Sequence, residues 1–209
     1  MPEPKQERAQ RTREEILRAA AEVFDERGYN GASMREIMSR AGVTLGAVYF
    51  HFPNKEALAL AVMRAQPAGI VPALDSRGLQ RLVDITFVWA HKLRTDPTLR
   101  AGVRLTSEQT GFGLDDATPY LDWARIMEEC LIEGRAAGEV RADVDLRAVA
   151  EFVVSACTGL QAYSLLISGR ADLPGRTRAM WRLLLPAIAT GDGAGAVDVS
   201  EAREAVVNA

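Results

Sequence analysis

Between Ser33 and Phe52 the chain reads SMREIMSRAGVTLGAVYFHF, and the end signals in this stretch confine it to two short helices around a tight turn. Ser33, with Glu36 three residues later, has the capping-box form: the serine oxygen accepts from a free backbone N–H and the glutamate reaches back to the cap. A helix is therefore expected from Met34. Met34, Ile37, Met38 and Ala41 recur at three- and four-residue spacing and form its apolar face, leaving Arg35, Glu36, Ser39 and Arg40 to solvent. Gly42 tolerates the positive φ at which helices commonly stop. Thr44 is then placed to cap a second helix running through Gly46, Ala47, Val48 and Tyr49.

Two helices joined by a three- or four-residue turn containing glycine form the helix-turn-helix unit, whose second helix lies in the major groove of DNA. An ordinary helical hairpin in a core has the same spacing, so the flanks decide. Upstream, Thr12 and Glu15 repeat the capping-box pattern. Ile16, Ala20, Val23 and Phe24 follow on one face, and Gly28 is the expected stop. Downstream, Pro53 and Asn54 restart the chain into a helix from Lys55 to about Arg64, with Leu58 and Val62 inward. Three helices and a strut make a small core.

The 209 residues are 48% hydrophobic and 25% charged, ample for one or two domains. From Gly78 onward helical patterns alternate with Pro, Gly and Asp punctuation, and no alternating run supports a sheet. Helices are expected over Leu79 to Leu93, from Asp96-Pro97, from Thr118-Pro119 to near Gly138, from Asp145 to about Ser168 and from Pro174 to Ile188. Residues 106–118 are expected to be a Gly-rich loop. The fold class is thus all-α, with a small N-terminal helix-turn-helix domain (11–66, motif 33–52) and a larger helical domain (67–190). The tail from Gly191 to Ala209 is expected to be flexible.

The net charge of −3 gives no global basic signature, but residues 1–55 carry nine basic against eight acidic groups, while the remainder carries 16 against 20. Arg8, Arg11 and Arg13 cluster ahead of the first helix. Residues 1–10 are either a flexible basic arm that reaches phosphates or a solvated terminus. Cys130 and Cys157 have no CxxC or nearby histidine, so neither a disulfide framework nor a metal site is expected. No cofactor is implied. The N-terminus lacks a signal-type apolar core, and no apolar run approaches membrane-spanning length, which together predict a protein of the reducing cytoplasm.

The run from Arg13 to Leu58, with AAAEVFDERGYNGASMREI and then AGVTLGAVYFHFPNKEAL, resembles the DNA-binding domain of the tetracycline-repressor (TetR) family. The resemblance implies a homodimeric, all-α repressor that binds a pseudo-palindromic operator in double-stranded DNA. It also implies a C-terminal domain that binds a small molecule and dimerises. By resemblance, Thr44, Gly46, Ala47 and Tyr49 fall on recognition-helix positions, with Arg35 on the helix before. His51 and Lys55 fall where the family commonly touches phosphate. At Leu45 many relatives have lysine; leucine offers an apolar contact, such as one to a thymine methyl.

TLRAGVRLTSEQ, then PYLDWARI, then CTGLQ further resembles the γ-butyrolactone-receptor subgroup, which implies a butyrolactone- or butenolide-like effector and control of secondary-metabolite genes. The Trp of the DW element stacks on ligand in that subgroup, and the matched positions here are Trp123, Gln66 and Thr158. Thr106 and Tyr120 are further wall candidates. On spacing alone, the stripe Tyr120, Trp123, Met127, Cys130 and Leu131 reads as core rather than pocket, while Gln66 is equally a surface amide and Thr158 a hydroxyl bonded to its own helix. The apolar faces of the last two long helices match the family's four-helix dimer bundle. Against an enzyme, His51 and His91 lie on separate helices and no acid/base, metal or phosphate-loop arrangement is present. A drug-sensing relative, or a helical interaction protein without DNA binding, remains the alternative.

Overall fold

The computed structural model describes residues 5–71 and 74–207, which form two compact units. The first is built from the chain up to Gln66 together with Asp96–Asp116; the second takes Pro67–Thr95 and the chain from Ala117 onward. The break at residue 66 falls where expected, but the second domain is not one continuous stretch from 67 to 190. The segment Asp96–Asp116 packs with the N-terminal helices even though it lies far along the chain.

In the first unit, α1 (Lys5–Gly31), α2 (Met34–Ala41), α3 (Leu45–His51), α4 (Lys55–Arg64) and α6 (Pro97–Glu108) surround one core. Ile16, Ala20, Val23 and Phe24 meet Ile37, Val48, Leu58 and Val62 there, as their periodicity predicts, and α6 adds Ala101 and Leu105. Asp96 caps α6 by accepting from the N–H groups of Thr98 and Leu99. Polar contacts then pin α6 to α1. The Asp25 carboxylate accepts from Arg100 at 3.1, 3.0 and 2.6 Å, and Arg104 donates to the Asp25 carbonyl at 2.9 Å. Gln109–Phe112, expected as loop, forms a 3-10 turn, and Phe112 stacks on Tyr29 with ring centroids 3.9 Å apart.

Two expectations for α1 change. The helix already runs from Lys5, so residues 5–10 are helical rather than an irregular arm, and Thr12 lies inside a helix instead of capping one. The expected arm's residues 1–4 fall outside the described part. Gly28 breaks the helical path at φ 66°, but the helix resumes as far as Gly31. That positive φ is what favours glycine here; a Cβ would stand 2.8 Å from the Arg104 guanidinium, the far end of a flexible side chain that can move aside.

The second unit comprises α5 (Gly78–Thr95), α7 (Thr118–Ala136), α8 (Leu146–Ser168) and α9 (Leu173–Ile188), followed by α10 (Gly191–Ala196) and α11 (Glu201–Val207). Leu79, Leu82, Val83, Phe87, Leu131, Val153 and Trp181 are fully buried, and the Trp181 indole donates to Thr86 Oγ1 at 2.7 Å. Burial pushes the Cys130 thiol up to about 11 and the Cys157 thiol up to about 12, so both remain protonated and pack as small apolar groups. By length and composition α8 is apolar enough to cross a membrane, which corrects the expectation that no run approaches that length; a third of its apolar window is buried within the unit.

Residues 191–207 of the expected flexible tail are instead docked on their own unit, while 208–209 lie outside the described residues. Gln80 accepts from the Asp198 N–H at 2.7 Å and donates to its carbonyl at 3.2 Å, while Arg203 pairs with the fully buried Asp84. Arg178 pairs with Glu201 and Glu204. The short helix α10 begins at the Thr190 cap, whose hydroxyl accepts from Gly193 N–H at 2.9 Å.

Candidate DNA-reading face and effector residues

Local chemistry fixes the two helices of the motif. Ser33 Oγ accepts from the Glu36 N–H at 3.2 Å, whereas the Glu36 carboxylate turns outward to Arg27 at 3.0 Å and leaves half of the capping box unmade. Gly42 closes α2 at φ 66° with its N–H directed at the Met38 and Ser39 carbonyls. Thr44 Oγ1 accepts from the Ala47 N–H at 3.2 Å and so starts α3. Val48, the inward anchor of α3, is fully buried.

With Val48 inward, the rest of α3 faces out. Thr44 and Gly46 are exposed, Leu45, Ala47 and His51 are half-buried, and Tyr49 is 48% exposed. Arg35 stands exposed on α2. Phe50, 81% exposed, was absent from the expected contacts, although its position two residues from Val48 on a 100° wheel already marked it as outward. Lys55 takes a different part. Its ammonium donates to the Tyr29 and Ala32 carbonyls at 2.9 and 3.1 Å and lies 4.3 Å from the Tyr29 ring centroid. It thereby closes the C-terminal end of α1, where a cation complements the orphan carbonyls, with two of its three N–H donors. Arg13 covers the Phe52 ring at 5.1 Å, and Arg11 lies 3.4 Å from Glu15.

The five candidate effector residues are divided between the units. Gln66 and Thr106 belong to the first, where they meet: the buried Gln66 amide donates to Thr106 Oγ1 at 3.2 Å and to the Met63 carbonyl at 2.9 Å. Gly102 makes room for this amide, since a Cβ there would lie 2.6 Å from Gln66 Cγ. In the second unit Tyr120 and Thr158 line one groove of about 440 Å³ between α7 and α8. Thr158 bonds back to the Val154 carbonyl at 2.9 Å. Trp123 is buried on the stripe with Met127, Cys130 and Leu131 and is not part of that groove's wall.

A second groove, of about 640 Å³, runs along α8 and α9 and is lined by Phe152, Leu160, Tyr163, Met180 and Leu183, among others. Its lining is unusually apolar for a surface: Leu183 is 81% exposed and Phe152 54%, and Leu166, elsewhere on α8, is 86% exposed.

Residues 16–62 match the family model for bacterial regulatory proteins of the tetR family, and residues 76–190 match that for the tetracyclin repressor-like C-terminal domain. The A-factor receptor protein of Streptomyces griseus is 43% identical over 185 residues, which is 88% of this chain and 66%, just under two thirds, of the receptor's own length. Full-length native tylp, a tetR regulator from Streptomyces fradiae, superposes with a TM-score of 0.88 at 39% identity, over 96% of this chain and 97% of that one. A γ-butyrolactone receptor described as ArpA-like superposes with a TM-score of 0.69 at 31% identity, over 96% and 98% of the two chains.

Proposed function

Because the chain belongs to the TetR family of bacterial regulatory proteins, we propose that it is a cytoplasmic, homodimeric repressor of the autoregulator-receptor type. It occupies a pseudo-palindromic operator and is released by a γ-butyrolactone- or butenolide-like effector, controlling antibiotic-type secondary metabolism. The observation that carries the DNA-binding part is α3, capped by Thr44, anchored by Val48 and presenting Gly46, Tyr49 and Phe50 outward. Thr44 and Ala47 edge this face, Leu45 faces base methyls, and Arg35, His51 and the remaining Lys55 N–H serve phosphates.

A half-site reader needs a two-fold partner that holds the recognition helices about 34–36 Å apart. The exposed apolar groove of α8 and α9 supports that partner being a second copy of this chain. Support for the effector class comes from likeness to the A-factor receptor and to the γ-butyrolactone receptor. An apolar tail with a few carbonyl or hydroxyl oxygens suits aromatic and aliphatic walls with sparse donors, the chemistry that Trp123, Tyr120 and Thr158 supply within the second unit. Such an effector shifts the protein away from DNA only by its differential affinity for the two conformations.

Binding to a palindromic promoter fragment, measured against salt, tests the DNA claim. A specific complex that weakens steeply as salt rises is expected; no specific complex, or affinity indifferent to salt, counts against it. For the effector, titrating a γ-butyrolactone into the preformed complex is expected to release DNA from the wild type and not from Trp123→Ala. Unchanged release in that variant removes Trp123 from the site.

A further inference from the structure

Within the first unit, the exposed large apolar side chains among the described residues are neighbours in sequence, Tyr49 and Phe50. Val48 defines the inward direction of α3, and at 100° per residue Gly46 and Phe50 each lie about 160° from it, on the ridge pointing straight out. Gly46 has no side chain, and a Cβ built on it would meet nothing within 4 Å. The Phe50 ring is therefore the tallest point of that ridge, with no side chain one turn before it to hold a surface away. Its edge packs on His51 with centroids 5.1 Å apart, and it forms one wall of an open groove whose other wall is α1, where Gln6, Gln10, Arg11 and Arg13 stand beside Glu7 and Glu14.

An apolar ring flanked by phosphate-seeking donors fits one feature of duplex DNA. The C5 methyl of thymine stands on the wall of the major groove, beside the phosphates of its own strand, and aromatic or aliphatic carbon is its natural partner. We propose that Phe50 is a specificity-determining residue that covers the methyl of one thymine in each operator half-site. This rests on α3 being the reading helix and adds to that assignment a base and an atom. Leu45, on another side of the helix, reads a different position.

The test begins with operator duplexes selected from random sequence by the wild-type protein. Each thymine is replaced in turn by deoxyuridine, which removes the methyl and keeps the pairing edge. At one thymine per half-site the wild type is expected to lose about fourfold in affinity, the worth of one buried methyl group. In Phe50→Ala that position becomes indifferent to the methyl, while other uridine-sensitive positions, including any that depend on Leu45, keep their sensitivity. Phe50→Leu retains part of the effect. The proposal is overturned if Phe50→Ala binds as tightly as the wild type, or if it weakens thymine and uridine duplexes by the same factor everywhere, as a contact to sugar would. Because Phe50 is exposed, the melting temperature of the variant is expected to match the wild type, which separates reading from folding. A wild-type protein that selects no sequence at all would overturn the DNA-binding assignment and the proposal with it.

Discussion

Asp84 is fully buried on α5, and its carboxylate is compensated by Arg203 from α11, with Gln80 donating to it at 2.8 Å. Removing one partner of a buried pair leaves a charge without its counter-charge, which costs far more than the pair contributes while intact. Arg203→Met is expected to destabilise the protein by about 3 kcal/mol, read by chemical denaturation, with Asp84→Asn/Arg203→Met recovering a substantial part. Asp172, between α8 and α9, behaves differently because it is only half-buried. Arg176, then Ser164 and Ser168, hold its carboxyl well below the usual carboxylate range. A depressed folded-state value means that the stabilisation is present above the ordinary carboxylate pKa, about 3.9, and is lost as pH falls through the lower folded value. Asp172→Asn is thus expected to melt earlier than the wild type at pH 7, with the gap closing in acid. A gap of equal size at pH 3 would contradict this. Residue roles were legible in the sequence where they are local: Ser33, Gly42 and Thr44 act on backbone groups within a few positions of themselves. The role of Lys55 was not, since the carbonyls it caps lie 23 and 26 residues away.

At the scale of elements, periodicity located the helices well and their partners poorly. The two helices of the motif, the Asp96 cap and the apolar faces of α1 and α4 follow from spacing alone. Thr44→Ala is expected to cost about 1 kcal/mol, the worth of an N-cap, and to weaken operator binding by fraying the start of α3. Thermal melts paired with DNA titrations measure the two effects. The tail escaped the sequence because its Gly- and Ala-rich composition carries no apolar period, while what docks it is a set of ion pairs and hydrogen bonds, a cap and close backbone contact. Gly193 shows the last of these: a Cβ there would fall 2.3 Å from the Glu139 carbonyl oxygen, against backbone that cannot step aside. Gly193→Ala is accordingly expected to loosen α10 and α11, seen as faster amide exchange over 191–207. Unchanged protection there would show that the contact is dispensable.

For the whole molecule, the exposed apolar surface of α8 and α9 is the feature a lone chain leaves unsatisfied. A charge set into its groove should cost the isolated fold little and the assembly a great deal. Leu183→Glu is expected to sediment as a monomer at micromolar concentration and to lose specific operator binding, while its helical content stays the same; a dimeric Leu183→Glu that still binds operator would place the interface elsewhere. The sequence by itself determined the helical class, the capped helices of the helix-turn-helix motif and the family, because caps, turns and apolar periods act between residues a few positions apart. Tertiary structure alone decided that Asp96–Asp116 joins the helix-turn-helix unit, that the tail is docked, and that Lys55 is largely taken up by α1. Each of these depends on contacts between residues distant in sequence, where charge pairing and steric fit act without leaving a local pattern.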